Sequence, residues 1–456
     1  MGDGPLVVIL AAGQGTRMRS TVPKVLHPLG GRPLLLHTVE TAAAVAARKP
    51  VVVVSPAQPQ VTALLNGRVD RVQQLRPLGT GDALRSVPPP FRAAGQVLVL
   101  SADVPLVREE TLRRLLEAQA ATGAACALLT VVPADPSGMG RVLRDADGAV
   151  IRIVEAADLP PDSVPPLECN AGVYVFSGDR LWPALDALST QNAQAEYYLT
   201  DVVELIGGPV TAVVASDPAE AIGINDRRQL AAAEAALRRR VLDTLMLAGV
   251  TIEDPATTYV DAGVRIGPDS VLRPMTTVRR GTSLGAGCRI GPSAVLDAVR
   301  GGNRVVIAEA HLEDCVLGDD VQVGPYCRVR PNTVLGSGVQ LGTHAEVKNS
   351  TVGPGTHINH FCSVLDSDVG KDVNIGAGTV TCNYDGRAKH RTTIGDGVFV
   401  GSNSTLVAPV RLGQGSYIGA GSLIDGDVPA GALAVGRARQ RNIEGWVARR
   451  GATSGD

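Results

Sequence analysis

Two different rhythms of apolar residues divide the chain. In the first half, short, mostly apolar runs at residues 6–10, 51–54, 97–100, 127–132 and 172–176 read as buried strands. Helical patterns such as 33–47 and 109–121 lie between them. That alternation predicts βαβ units around a mostly parallel sheet. Residues 226–248 then predict one long helix. Leu230, Leu237, Val241 and Leu245 fall on one face, and Gly249 can close it at the position after the C-cap.

The second half repeats every six residues. Ile266, Leu272, Val278, Leu284, Ile290 and Leu296 form one run. Leu317, Val323, Val329, Leu335, Leu341 and Val347 form a second, and Ile394, Val400, Leu406, Leu412, Ile418 and Ile424 a third. Glycine often follows, as at Gly267, Gly285, Gly291, Gly318, Gly324, Gly336, Gly342, Gly395, Gly401, Gly413 and Gly419. Six is neither the helical period nor that of a simple strand; it is the signature of a parallel β-helix. One apolar residue points inward from each flat face of a prism, and the residue after it must turn the corner with an unusual φ. Three hexapeptides close one coil, coils stack as parallel strands, and coils of this kind are left-handed. Residues 298–311 interrupt the first run. Residues 382–391 interrupt the coil before Ile394, and Asn383-Tyr384-Asp385-Gly386 there predicts a protruding loop.

Composition sharpens this division. Glycine is 52 of 456 residues, and 29 of the 52 fall within residues 263–436. The expected organisation is a domain over 1–225, a linker helix over 226–249, a β-helix over 250–436 and a basic tail over 437–456. With 13 aromatic residues, the core must be built from Val, Ile, Leu and Ala. A net charge of −2 leaves no electrostatic footprint for nucleic acid. No apolar run reaches the length of a membrane span, and the first residues lack a signal-peptide pattern, so a cytosolic location is expected. The seven cysteines form no CxxC pair and read as buried free thiols.

The first candidate chemistry follows the first strand. Leu10-Ala11-Ala12-Gly13-Gln14-Gly15-Thr16-Arg17-Met18 is a glycine-rich turn that can aim backbone N–H groups at phosphates, and Pro23-Lys24 adds a second cation beside Arg17. No Gly-Lys-Ser/Thr follows, so this is not a Walker A loop, and the third glycine of the dinucleotide fingerprint is missing. The chain uses 38 Arg but only five Lys (24, 49, 348, 371 and 389). Where arginine is the default cation, a retained lysine points to a need for a compact charge.

With these residues the chain resembles sugar-nucleotide pyrophosphorylases of Rossmann-like fold. Over residues 5–447 it is similar to the bifunctional N-acetylglucosamine-1-phosphate uridylyltransferase/glucosamine-1-phosphate acetyltransferases. The most specific element is Leu-Ala-Ala-Gly-x-Gly-Thr-Arg-Met together with the later Thr-Cys-Asn-Tyr-Asp-Gly. The resemblance implies an α/β Rossmann-like nucleotidyltransferase domain followed by a left-handed parallel β-helix, in a homotrimer making UDP-N-acetylglucosamine for bacterial envelope polymers. It implies that Arg17 and Lys24 neutralise triphosphate charge and that Leu10, Ala11, Ala12 and Gly13 contact the nucleotide. Gln74, Gly79 and Thr80 would read the uracil. Asp103 and Asn225 would hold Mg²⁺, a hard cation suited to protein and phosphate oxygens. Gly140, Glu155, Asn170 and Thr200 would bind the sugar phosphate. The chain departs from the family at Ser101-Ala102, where Tyr-Gly is common before the metal aspartate.

For the second half, the resemblance implies acetyl transfer from acetyl-CoA to glucosamine-1-phosphate with His360 as general base, since imidazole exchanges protons near neutrality. Arg330 and Lys348 would grip the phosphate, with Ser363 and Asn374 beside the sugar. Ala377, Asn383, Tyr384, Ser402, Ala420 and Arg437 would form the acetyl-CoA site. Asn383 would also reach the sugar, and Arg439 and Arg441 would meet CoA phosphates. Ser363 stands where the family commonly has Tyr, and Ile443 where it has a basic residue near the CoA 3′-phosphate. A competing reading keeps the nucleotidyltransferase but makes the β-helix purely regulatory or oligomerising, which gives His360 and Asn383-Tyr384 no task. A non-enzyme reading makes the β-helix an oligomerisation scaffold, which explains the coils but not the Gly13–Lys24 cluster.

Overall fold

The computed structural model describes residues 4–160 and 165–451. It separates into two compact units that divide after Arg238, inside the helix Arg227–Leu247. That helix lies within a residue of its expected span.

The first unit contains strands β1 (Leu6–Leu10), β2 (Val51–Val54), β3 (Asp70–Gln73), β4 (Gln96–Ser101), β5 (Cys126–Val131), β6 (Arg141–Arg144), β7 (Val150–Val154), β8 (Cys169–Ser177) and β9 (Val210–Val214). Among the described residues these make one sheet, in the order β9-β5-β8-β4-β1-β2-β3, with β6 attached to β8 and β7 to β6. β1 pairs in parallel with β2 and β4, β2 with β3, and β5 with β9. β8 runs antiparallel to both of its neighbours in that order. Val7, Ile9, Leu98 and Leu100 are buried on one face of the sheet, and Leu6, Val8, Val97 and Val99 on the other. Both faces are therefore covered, which is why these strands read as unbroken apolar runs. α1 (Leu34–Val45) and α2 (Glu109–Thr122) are two of the covering helices.

The second unit is a three-sided parallel β-helix. Its three sheets hold eleven, ten and nine strands among the described residues, each strand pairing with the one a full coil later. All eighteen apolar positions of the hexapeptide runs are buried. Inside the first sheet they stack in single file, as Leu341, Ile358, Ile375, Val400 and Ile418 do.

Residues 298–311 interrupt the six-residue register as expected, but not the coils: Arg289 pairs with Val306 and Val306 with Gln322, so the coils continue, shortened at their corners. One expectation is corrected here: the glycines that follow the apolar residues serve a different purpose. Of the eleven, only Gly291 and Gly324 have φ near +100°. For the rest the constraint is distance. A Cβ on Gly267 would lie 2.6 Å from the Gly285 carbonyl carbon, and one on Gly401 2.5 Å from the Ala420 nitrogen. Left-handed backbone falls instead on corner residues such as Asn332, His344, Asn349, His360, Phe361 and Asp366. The cysteines are free thiols; six are buried and Cys382 is half-buried. Among the described residues no helix is long and apolar enough to cross a membrane.

Candidate active sites

At the end of β1 the chain enters the loop 11–15, tied down by Ala11 N–H donating to Val53 C=O at 2.9 Å. Gly15 has φ +63°, and a Cβ there would sit 2.5 Å from the Lys24 Cβ. Glycine is thus required both by the backbone and by the lysine folded against it. Lys24 is buried. Its Nζ donates to Asp103 Oδ2 at 2.6 Å and to Asn225 Oδ1 at 3.1 Å. Asn225 reaches this point because Ile224 N–H donates to the Asp103 carbonyl at 2.8 Å. The two expected metal ligands therefore converge on one cation, the ammonium of Lys24.

The loop opens on a cleft of about 390 Å³ lined by Leu10, Ala11, Ala12, Gly13, Lys24, Gln74, Gly79, Thr80 and Asp103. Gln74 is buried, and its Nε2 donates to Gly79 C=O at 3.1 Å and to Asp82 Oδ2 at 2.8 Å. That leaves its side-chain carbonyl for a ligand. Gly79 has φ +111°, and a Cβ there would meet the Tyr197 carbonyl oxygen at 2.5 Å.

The cleft continues into a space of about 800 Å³ lined by Arg17, Gly140, Glu155, Asn170 and Asn225, with Thr80 and Asp103 shared between the two. β8 slips register between Asn170 and Tyr174. Asn170 Nδ2 donates to the Tyr174 hydroxyl at 2.6 Å. Thr200 Oγ1 donates to Glu155 Oε1 at 3.0 Å, so Thr200 supports the wall from behind. Burial pushes the Glu155 carboxyl up; the Thr200 bond opposes this, and Asp158 and Asp201 add to it. Arg17 is exposed at the rim of the wider space. Sequence reasoning missed Ser101 as a wall residue and missed Glu196 altogether; both line each part of the cleft. Glu196 lies four residues before Thr200, in Glu-Tyr-Tyr-Leu-Thr-Asp.

In the second unit, one corner carries part of the expected acyl-transfer set. Gly378 N–H donates to His360 C=O at 3.1 Å, Asn403 N–H to Ala377 C=O at 2.7 Å, and Gly421 N–H to Ser402 C=O at 2.8 Å. His360, Ala377, Ser402 and Ala420 thus occupy successive rungs of one corner, and Arg437 lies beside Gly421 on the next. His360, Ser402, Ala420 and Arg437 are all exposed. The same corner carries a column of rings, Tyr326 tilted against His344 at 5.1 Å and His344 stacked on Phe361 at 4.7 Å.

From His360 the strand Ser363–Leu365 crosses the face to the opposite corner at Asp366, with Glu346 paired to Ser363 and Lys348 to Leu365. Arg330 N–H donates to Val347 C=O at 2.8 Å, which sets Arg330 beside Lys348, and its guanidinium meets Glu346 at 3.0 Å. Lys389, which the sequence reading did not assign, joins them. It lies close enough to Lys348 to push that ammonium down, with Arg330 adding to the effect. The signal was its rarity as a lysine. Asp366 is buried, which would raise its carboxyl. Amide donors from Asn349 and Asn383, with Lys348 and Lys389 nearby, hold it below the ordinary value. The Asn383 amide is therefore turned to Asp366. Tyr384 is exposed, Asn374 pairs with His357 and Phe399, and Arg439, Arg441 and Ile443 are exposed.

Residues 7–203 match the MobA-like NTP transferase domain, and residues 391–426 match the bacterial transferase hexapeptide of six repeats. The GMPPB C-terminal domain matches residues 253–339 and 311–407. Over 97% of its length the chain is 46% identical to the bifunctional protein GlmU of Mycolicibacterium vanbaalenii, covering 93% of that protein. The chain belongs to the GlmU family. Over 96% of its length it is 45% identical to GlmU of Thermotoga petrophila and 43% identical to that of Desulfitobacterium hafniense, covering 98% of each. As a member of the GlmU family it is a bifunctional enzyme, with a Rossmann-like uridylyltransferase and a glucosamine-1-phosphate acetyltransferase on a left-handed β-helix.

Proposed function

We propose that the corner carrying His360 acetylates glucosamine-1-phosphate first, and that the cleft between Gly13 and Asn225 then joins the product to UTP. The observation that carries this division is spatial. The residues expected for uridylyl transfer line one cleft in the first unit, and in the second His360 and the Arg330–Lys348 pair stand at the two edges of one face.

At the β-helix, Arg330, Lys348 and Lys389 seat the sugar phosphate at one edge of the face. This presents the amine towards His360 at the other. As the nitrogen attacks the thioester carbonyl of acetyl-CoA, His360 takes its proton and the CoA thiolate leaves. Ser402 faces the developing oxyanion. The exposed corner supports a homotrimer in which a neighbouring copy supplies the other wall of the acyl-CoA groove.

In the cleft, the loop 11–15 turns backbone donors to the triphosphate, and Gln74, Gly79 and Thr80 read the base. Gly140, Glu155 and Asn170 hold N-acetylglucosamine-1-phosphate, whose phosphate oxygen displaces pyrophosphate from the α-phosphorus. Catalysis is mostly positioning and charge neutralisation. Asp103 and Asn225 suit Mg²⁺, because their oxygens already embrace a cation in Lys24. Bound there, the metal would supply positive charge for the phosphates. Lys24 would then turn its ammonium to the triphosphate, with Arg17 at the rim. Both donors belong to cytoplasmic metabolism, which is where we place the enzyme.

Pyrophosphate release from UTP and N-acetylglucosamine-1-phosphate tests the cleft assignment. Asp103→Ala should abolish it while leaving acetyl transfer intact. Equal loss of both activities would contradict two separate sites.

A further inference from the structure

The hairpin at residues 383–390 is more heavily tied than an exposed loop requires. His390 N–H donates to Asn383 C=O at 2.8 Å, Tyr384 and Lys389 form an antiparallel bridge, and Asp385 N–H donates to Ala388 C=O at 3.2 Å. Gly386, at φ +95°, begins the turn. One oxygen of Asp385 accepts from the N–H groups of Arg387 and Ala388, both at 2.7 Å. The other lies 2.8 Å from His390 Nε2. These contacts hold the Asp385 carboxyl well below its ordinary range, the Ala388 N–H first and His390 next.

In a hairpin, alternate rows of side chains take opposite faces. Asp385 and His390 stand on one face, and Tyr384 and Lys389 on the other. The hairpin starts at Asn383, whose amide is turned to Asp366, and Asp366 N–H donates to Lys348 C=O at 3.0 Å, so Lys389 stands near Lys348 and Arg330. Like charges so placed repel, and without an anion between them they favour separation. Holding Lys389 there requires a backbone that does not yield.

We propose that His390 is a positioning residue: by clasping Asp385 across the hairpin it holds Lys389 beside Lys348, completing the seat for the sugar phosphate. This rests on the reading that the β-helix acetylates an amino-sugar phosphate.

Steady-state acetyl transfer by the full-length enzyme tests it. His390→Ala should raise KM for glucosamine-1-phosphate about three- to fivefold, the range of a part-exposed ion pair. The kcat, the KM for acetyl-CoA and uridylyl transfer should stay as they are. His390→Gln keeps a donor and should restore most of the loss. In a Lys389→Ala background, His390→Ala should add nothing. An unchanged KM in His390→Ala, or a further loss in that background, would overturn the clasp. A wild-type enzyme that turns over no glucosamine-1-phosphate would overturn the parent reading, and the clasp with it.

Discussion

The two sites of this chain are built on opposite plans. The nucleotidyltransferase cleft is closed by its own unit. Lys24, Asp103, Gln74 and Asn170 are each held by a partner from the same fold, and the walls run continuously from Gly13 to Asn225. The acetyltransferase corner is a column on the outside of a prism, with His360, Ser402, Ala420 and Arg437 facing solvent. A doubly wound sheet makes a crevice where its strands end. A solenoid has a filled interior and can offer only surfaces and protruding loops. The first plan shelters its charges within one chain. The second, as proposed, draws on a hairpin, a tail and a neighbouring copy.

The sharpest way to break this comparison is Asp103→Ala. It removes a proposed metal ligand and leaves the buried Lys24 ammonium without its carboxylate. Uridylyl transfer should fall by about a thousandfold or more, with acetyl transfer unchanged in the same preparation. Gly15→Ala should follow. It combines a left-handed φ with a 2.5 Å approach to Lys24, so differential scanning calorimetry should show a loss of about 1–3 kcal/mol, all from the first unit.

Ser363→Tyr probes the open site. The face between His360 and Lys348 carries only a small hydroxyl there, so a ring should contact the sugar phosphate and lower KM for glucosamine-1-phosphate several-fold. A KM that is unchanged or raised would show that the face needs no such contact.

The smallest effect concerns pH. Glu155 and Asp201 both have carboxyls raised by burial. A raised carboxyl means the native state binds its proton more tightly than the unfolded state. Its stabilising contribution is complete below the ordinary value and is lost as pH rises through the raised one. Glu155→Gln should therefore flatten the decline of the first unit's Tm as pH rises above 4.5. A steeper decline would mean that Glu155 is stabilised as a carboxylate.

Much of the architecture was legible in the sequence because its physical cause is periodic. A single file of interior residues every six positions, Leu341 over Val323 or Ile418 over Val400, leaves few other folds to consider. The direction of β8 was not legible, since an apolar run such as Val173–Phe176 reads the same either way along the sheet. The stacked glycines showed their position but not their reason, because backbone proximity between coils leaves no local mark. Candidates carried by motifs could be nominated from the sequence, and the structure sets Gly13, Lys24 and Asp103 around one cleft and His360 on an exposed corner. Ser101, Glu196 and Lys389 enter through tertiary approach, and only the scarcity of lysine hinted at the last.

The central claim is that one chain carries two independent catalytic centres, and it is tested most directly at the more exposed one. Thiol release from acetyl-CoA with glucosamine-1-phosphate should be robust in the wild type. In His360→Ala it should fall at least about a hundredfold, with pyrophosphate release from UTP undiminished. Full acetyl transfer in His360→Ala would contradict the base assignment. No acetyl transfer even in the wild type would contradict the claim of two centres.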